Sequence, residues 1–275
     1  MTTVGFVGLG QIGRPMAQRL ESGDVDLWVW DVAAAATQGF INVAGSMAEL
    51  AERCDVVCVM VRDDAQVQDV LDALLATAKP GLVVAVHSTI HPDTASHLAM
   101  VAAAREVELV DAPVSGGAMG AADGTLAIMV GGSDAAYDKA KPVLDVMGSV
   151  VVLLGPVGTG TKAKLARNLL HFVAFTAVAE AQRLAEAAGL DLEELGRIVR
   201  HTDAITGGPG AIMLRGTTAP MTVEDPWRPI FEHVRDLGEK DLHLAIELGE
   251  TLGVETPLAQ LALGRLAAGL GLEDE

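Results

Sequence analysis

A short apolar run, Val4-Gly5-Phe6-Val7, passes directly into Gly8-Leu9-Gly10-Gln11-Ile12-Gly13 and then into the helical stretch Arg14 to Ala17. This order constrains the fold more than any other stretch of the chain, because each glycine answers a different steric demand. Gly8 permits a tight turn, Gly10 lets backbone N–H groups approach a pyrophosphate, and Gly13 lets the helix lie close to the strand. The helix then turns its unpaired N–H groups toward an anion. Strand, turn and helix in this sequence are the setting that a dinucleotide fingerprint requires, so Leu9, Gln11 and Ile12 join the three glycines as cofactor-side candidates.

The chain has 30 glycines, and the turn alone would be weak evidence. Its support lies downstream, where the run Val25 to Trp30 ends in Asp31, about 20 residues past the turn. A carboxylate there accepts hydrogen bonds from the ribose hydroxyls of NAD and repels the 2′-phosphate of NADP. The next residues, Val32 and four alanines, offer no Arg or Lys to a phosphate. The cofactor expected is NAD.

With 275 residues and 50% hydrophobic content, the chain is long enough for two domains around large cores. Its formal net charge is −18, and its 19 Lys and Arg form no basic run, which argues against a nucleic-acid or anionic-membrane partner. Aromatic residues make up 3% of the chain, too few for a base-stacking platform. Cys54 and Cys58 read as buried free thiols. No metal site is expected: H-E-x-x-H is absent, and His87, His91 and His97 read as turn and helix-surface residues. The glycine turn interrupts the apolar start, and longer apolar segments are broken by polar residues, so the expectation is a cytoplasmic protein.

Up to about residue 155, β-branched runs alternate with helical stretches, the signature of a mostly parallel α/β sheet. The runs are Val4 to Val7, Asp26 to Trp30, Val56 to Val61, Leu82 to Ser88, Val107 to Asp111, Leu126 to Val130 and Val150 to Leu154. Ser46 and Glu49 form a capping box, and a helix is expected over Asp64 to Ala78. Beyond Gly160 the pattern is all α: one long helix over Thr161 to Ala188, then Leu192 to His201, Phe231 to Leu252 and Pro257 to Leu270. The expected architecture is an α/β Rossmann domain over residues 1–158, followed by an all-α domain over residues 159–275, joined through the long interdomain helix. That helix is poor in charge from Leu169 to Ala179, as expected of a surface buried in its domain or against another subunit. Asp225 to Pro229 reads either as a loop over a cleft or as a rigid connection.

Two polar segments carry candidate chemistry. Lys164, Asn168 and His171 fall at helical spacing on one face. A lysine near its reference pKa of about 10.4 is a poor base at neutral pH, so burial or a cation such as Arg167 would have to lower it. At the end of a predicted strand stands Asp111-Ala112-Pro113-Val114-Ser115-Gly116-Gly117, where ligands of open α/β sheets bind. The Ser115 hydroxyl with the Gly116 and Gly117 N–H groups can form a nest for a carboxylate. Taken singly, Ser-Gly-Gly is as often a turn as a site, and Lys164 is more often a solvated helix residue.

Together, these blocks resemble the β-hydroxyacid dehydrogenase family, which includes 3-hydroxyisobutyrate dehydrogenase and tartronate semialdehyde reductase and is related to 6-phosphogluconate dehydrogenase. The resemblance runs through Gly8 to Ala17, Asp111 to Gly117, Gly124-Thr125-Leu126, the Lys164 block and Lys240-Asp241-Leu242. The apolar long helix points to a homodimer or homotetramer; the resemblance implies NAD-dependent oxidation of a small β-hydroxy acid to its semialdehyde or keto acid, or the reverse. It implies that Lys164 is the acid/base group, that Asn168 orients the substrate, and that Ser115, Gly116 and Gly117 hold its carboxylate. It further implies that Val61, Arg62, Thr89 and Lys240 line the cofactor site. The chain departs from many members at Arg62 and Arg167, either of which would meet a second anionic group or solvent. His171 stands where the sugar-phosphate branch carries a second acid, but the chain is too short for that branch. An imine-reductase-like enzyme and a noncatalytic NAD-binding protein are the alternative readings. Retention of both Lys164 and the Ser-Gly-Gly turn weighs against them.

Overall fold

The computed structural model describes residues 1–272. Five strands, β1 (Thr2–Val7), β2 (Val25–Trp30), β3 (Val56–Val59), β4 (Val83–Val86) and β5 (Glu108–Asp111), form a wholly parallel sheet in the order β2-β1-β3-β4-β5. Between them run the helices α1 (Gly13–Glu21), α2 (Met47–Arg53), α3 (Asp64–Leu75) and α4 (Pro92–Ala103). β3 and β4 are buried at every position, as strands covered on both faces must be.

The chain then adds β6 (Val114–Ser115), α5 (Gly117–Asp123), β7 (Leu126–Val130), α6 (Asp134–Met147) and β8 (Gly148–Leu153). The runs expected at Leu126 and Val150 are strands, but they lie in a separate three-stranded sheet. There β6 pairs antiparallel with β7, and β7 pairs parallel with β8. β8 is largely open to solvent, so this sheet lacks the second cover that β3 and β4 have. An isolated bridge between Asp111 and Gly131 ties it to the main sheet.

Pleating sorts the core. Val4, Phe6, Val56 and Cys58 meet Met16 and Leu20 of α1 and Leu144 and Met147 of α6. Val57, Val59, Val84 and Val86 meet Leu50 of α2, Leu71 and Leu74 of α3 and Leu98 of α4. Ser46 caps α2 by accepting from Glu49 N, while Glu49 reaches back to Gly45 N, so the expected box closes one residue early. Cys54 and Cys58 are free and buried, and burial pushes the Cys54 thiol up to about 12 and that of Cys58 further.

His87 departs from its expectation as a turn residue. It lies directly after β4, is fully buried and stacks on Phe6. Its Nδ1–H donates to Ala112 O at 2.8 Å, which fixes the tautomer, and burial pushes its pKa down to about 4. His91 and His97 are exposed, as expected.

The remaining helices are α7 (Thr159–Ala187), α8 (Leu192–Thr206), α9 (Arg228–Leu252), α10 (Pro257–Leu263) and α11 (Leu266–Gly269). α9 starts three residues before the expected Phe231, because Pro229 is tolerated in a first turn. The helix expected over Pro257 to Leu270 is two helices, parted at Gly264. One compact unit spans Met1–Asn168 and a second begins at Leu169, so α7 starts in the first and continues in the second. Within the second unit, Met221, Phe231, Ala267, Leu270 and Leu272 form a small core. The Glu180 carboxylate accepts from Leu258 N and Ala259 N at the start of α10. The Asp225 segment carries an Arg215–Asp225 ion pair, and Arg228 donates to Met221 O. Leu169, Phe172, Val173 and Phe175 on α7 are all more than half exposed.

Candidate active site

The glycine turn has the geometry its sequence demands. Gly8 has φ +93°, and a Cβ there would fall on the Met60 carbonyl oxygen; a Cβ on Gly13 would fall on the Gly8 carbonyl oxygen. A Cβ on Gly10 would meet nothing within 4 Å, so space is open where an approaching ligand needs it. Leu9 N donates to Asp31 Oδ2 at 2.6 Å, and Ala33 N donates to Asp31 Oδ1 at 2.8 Å. The carboxylate is thus anchored to the turn while its remaining lone pairs stay available.

Arg14, on the first turn of α1, is the cation that directly follows the glycine turn in the chain. It is committed elsewhere: Nη1 donates to Ala36 O at 2.6 Å, Nη2 donates to Gln38 O at 2.8 Å, and the guanidinium lies over the Phe40 ring. At the neighbouring strand ends, Val61 N donates to Ser88 Oγ at 2.9 Å and Ser88 Oγ donates to Val61 O at 2.7 Å. This staple, not anticipated from the sequence, fixes Val61 and leaves Thr89 exposed beside it. The Arg62 side chain turns to Asp63, 3.0 Å away, and is largely in solvent.

The second constellation centres on Lys164. Its Nζ donates to Ser115 Oγ at 2.7 Å, joining the end of β6 to the second turn of α7. Gly116 and Gly117 follow with φ +138° and +65°, left-handed values that explain two successive glycines. Lys164 is only 9% exposed. Burial, and secondarily the Arg167 charge, hold its amine below the ordinary lysine range. Asn168, four residues on, is partly buried and accepts from Arg167 Nη1 at 3.4 Å.

Asp111 is the residue of this region that sequence reasoning passed over except as part of a motif. It has no solvent exposure. Oδ1 accepts from Gly158 N at 2.7 Å and Oδ2 from Thr161 N at 2.6 Å, while burial pushes the carboxyl up against the effect of those two bonds. A Cβ on Gly160 would lie 2.6 Å from Asp111 O and 2.9 Å from Gly131 N, so the start of α7 rests on the strand ends through a glycine. The sole sequence signal was the acid at the end of a strand.

Two candidates belong to the second unit. Lys240, on α9, pairs with Asp241 at 3.1 Å, both side chains about three-fifths exposed. The His171 ring packs on Phe175 and Phe172, with centroids 4.1 and 5.4 Å away.

Residues 3–155 match the family model described as the NAD binding domain of 6-phosphogluconate dehydrogenase. Residues 158–273 match that described as the NAD-binding domain of NADP-dependent 3-hydroxyisobutyrate dehydrogenase. The chain belongs to the β-hydroxyacid dehydrogenase family. As a member it is an NAD-dependent oxidoreductase acting on CH–OH groups. The NAD-dependent L-serine dehydrogenase of Pseudomonas aeruginosa is 36% identical over 96% of this chain and 90% of its own length. The crystal structure of an oxidoreductase from Mycobacterium avium 104 superposes with a TM-score of 0.95 at 47% identity, over the full length of both chains. The structure of Mycobacterium tuberculosis 3-hydroxyisobutyrate dehydrogenase with L-serine superposes with a TM-score of 0.68 at 32% identity, covering 99% of this chain and 96% of that one.

The β-hydroxyacid dehydrogenase fold accounts for the open space at Gly10 and the carboxylate at Asp31, and both suit a dinucleotide. Gly8, Leu9, Gly10, Gln11, Ile12 and Gly13 would hold the pyrophosphate, and Asp31 the ribose.

Proposed function

We propose that this enzyme oxidises a small β-hydroxy acid of the 3-hydroxyisobutyrate or serine type to its semialdehyde, or runs the reverse reduction, with Lys164 as the general base. The contact between Lys164 Nζ and Ser115 Oγ carries the reading. It sets a buried amine beside the Gly116-Gly117 turn, whose N–H groups suit a carboxylate. NAD, when bound, supplies the hydride acceptor. The chain's residues do the rest. The Ser115 to Gly117 turn binds the carboxylate, Asn168 orients the carbinol, and neutral Lys164 removes the hydroxyl proton. With one N–H committed to Ser115, the amine keeps a lone pair for that proton. Val61, Arg62, Thr89 and Lys240 complete the proposed cofactor contacts.

A panel of hydroxy acids tests the reading. NADH formation from 3-hydroxyisobutyrate, L-serine, 3-hydroxypropionate or glycerate, with none from the methyl ester of the best substrate, is expected. Equal turnover of acid and ester would sink the carboxylate nest, and silence across the panel would sink the substrate class.

The pH profile follows from the lowered Lys164 pKa. Oxidation requires the neutral amine, so kcat/KM rises as pH rises through that pKa. Burial and Arg167 place this limb below the lysine reference of about 10.4. Arg167→Met removes the neighbouring charge and shifts the limb to higher pH, with a lower rate near neutrality. An unchanged limb would show that Arg167 does not act on the amine.

The proposed organisation assigns residues 1–158 to NAD and residues 159–275 to substrate selection and assembly. The exposed apolar residues of α7 support a homodimer or homotetramer, which light scattering would detect directly. Among the described residues no helix is long and apolar enough to cross a membrane. Two free thiols beside an NAD-dependent activity support a cytoplasmic location.

A further inference from the structure

We propose that Asp111 is a positioning residue for Lys164: its buried carboxylate fixes the first turn of α7 to the end of β5 and so sets where the amine meets Ser115. The inference rests on the assignment of Lys164 as the base and concerns how that base is held.

Several helix starts in this chain are capped by a neighbouring side chain. Ser46, Asp63, Ser133 and Asp191 each accept an N–H two or three residues onward and belong to the loop that enters the helix. Such caps stabilise a helix without fixing it against anything else. α7 is held differently. The N–H groups of Gly158, directly before the helix, and of Thr161, in its first turn, donate to a carboxylate 47 and 50 residues earlier in the chain, on the end of a sheet strand. One planar carboxylate holds the two N–H groups at once, one on each oxygen, and so fixes direction as well as distance.

A carboxylate with no exposure is costly to bury, and no Lys or Arg pairs with Asp111 among the described residues. The positive end of α7 and its two short N–H bonds offset that cost. A neutral local cap would satisfy the helix more cheaply. What the acid adds is registration between two segments that both carry site residues. Segment 111–115 ends in Ser115, and segment 158–164 ends in Lys164. They are tied at one end through Asp111 and at the other through the contact of Lys164 with Ser115. Gly131 and Gly160 allow the close approach between the ties. A base one helical turn from a fixed point moves little, and rate is sensitive to displacements of that base on the order of 1 Å.

Asp111→Asn tests this, because it keeps the shape and turns one acceptor into a donor facing a backbone N–H. The expected result is a kcat at least about tenfold lower with the NAD dissociation constant unchanged. In a Lys164→Ala background the same substitution should leave the residual rate unchanged, because the amine it positions is gone. Unchanged kcat in Asp111→Asn overturns the proposal. So do equal losses in both backgrounds, or parallel losses of rate and NAD affinity, since these mark a residue that only supports the fold. If the Asn variant fails to fold, Asp111→Glu keeps the charge and both acceptors while displacing the anchored turn. It should lose kcat with NAD affinity retained, and wild-type kcat would again overturn the proposal. A Lys164→Ala enzyme with wild-type turnover would instead refute the assignment of the base, whatever Asp111 does.

Discussion

Lys164→Ala is expected to lower kcat for β-hydroxy acid oxidation by about 10²- to 10⁴-fold, the range for loss of a positioned general base, while the NAD dissociation constant stays unchanged. The separation follows from geometry. Lys164 contacts Ser115 on the β6 turn, whereas the glycine turn and Asp31 are joined to each other through Leu9 N. Lys164→Arg should not restore the rate. A guanidinium keeps its proton throughout the working range, and its planar fork does not reproduce a single buried amine. Steady-state rates and calorimetric NAD binding on the same preparations check both statements. A kcat within a few-fold of wild type in Lys164→Ala would remove the lysine from the mechanism.

The second large effect concerns cofactor choice. Asp31→Ser should reduce kcat/KM for NAD by about 10- to 100-fold, the equivalent of one charge-assisted hydrogen bond. The same change removes the charge that repels a 2′-phosphate, so use of NADP should rise. Discrimination should collapse rather than invert, because Arg14 is held by Ala36 O, Gln38 O and the Phe40 ring and is not free to receive a phosphate. Parallel kinetics with the two cofactors decide the matter. Retention of wild-type NAD preference in Asp31→Ser would show that selectivity lies elsewhere.

How far the sequence reached depends on whether the physics was local. The glycine turn was legible because each glycine's constraint acts within the next few residues or on the adjacent strand. β7 was placed to the residue because its apolar run is bounded by Thr125 and Gly131. Lys164 and Ser115 were legible as candidates through the family blocks that contain them, although nothing in their spacing says that they touch. The separate small sheet was not legible, since parallel pairing of β7 with β8 looks the same in sequence whether or not the strands join β5. The role of Asp111 was hidden for the same reason: its partners are backbone N–H groups, which carry no residue-type signal. His87 was misread because a histidine after a strand looks like a turn residue, and its burial depends on Phe6 and Ala112 from other strands.

The most direct test of the account uses a β-hydroxy acid deuterated at the carbon that bears the hydroxyl. Mass spectrometry of the reduced cofactor after a single turnover by wild-type enzyme should find one deuterium per NADH formed. Its absence from NADH, or the absence of NADH from an enzyme shown to have bound both NAD and the acid, would contradict the assignment of this site to β-hydroxy acid oxidation.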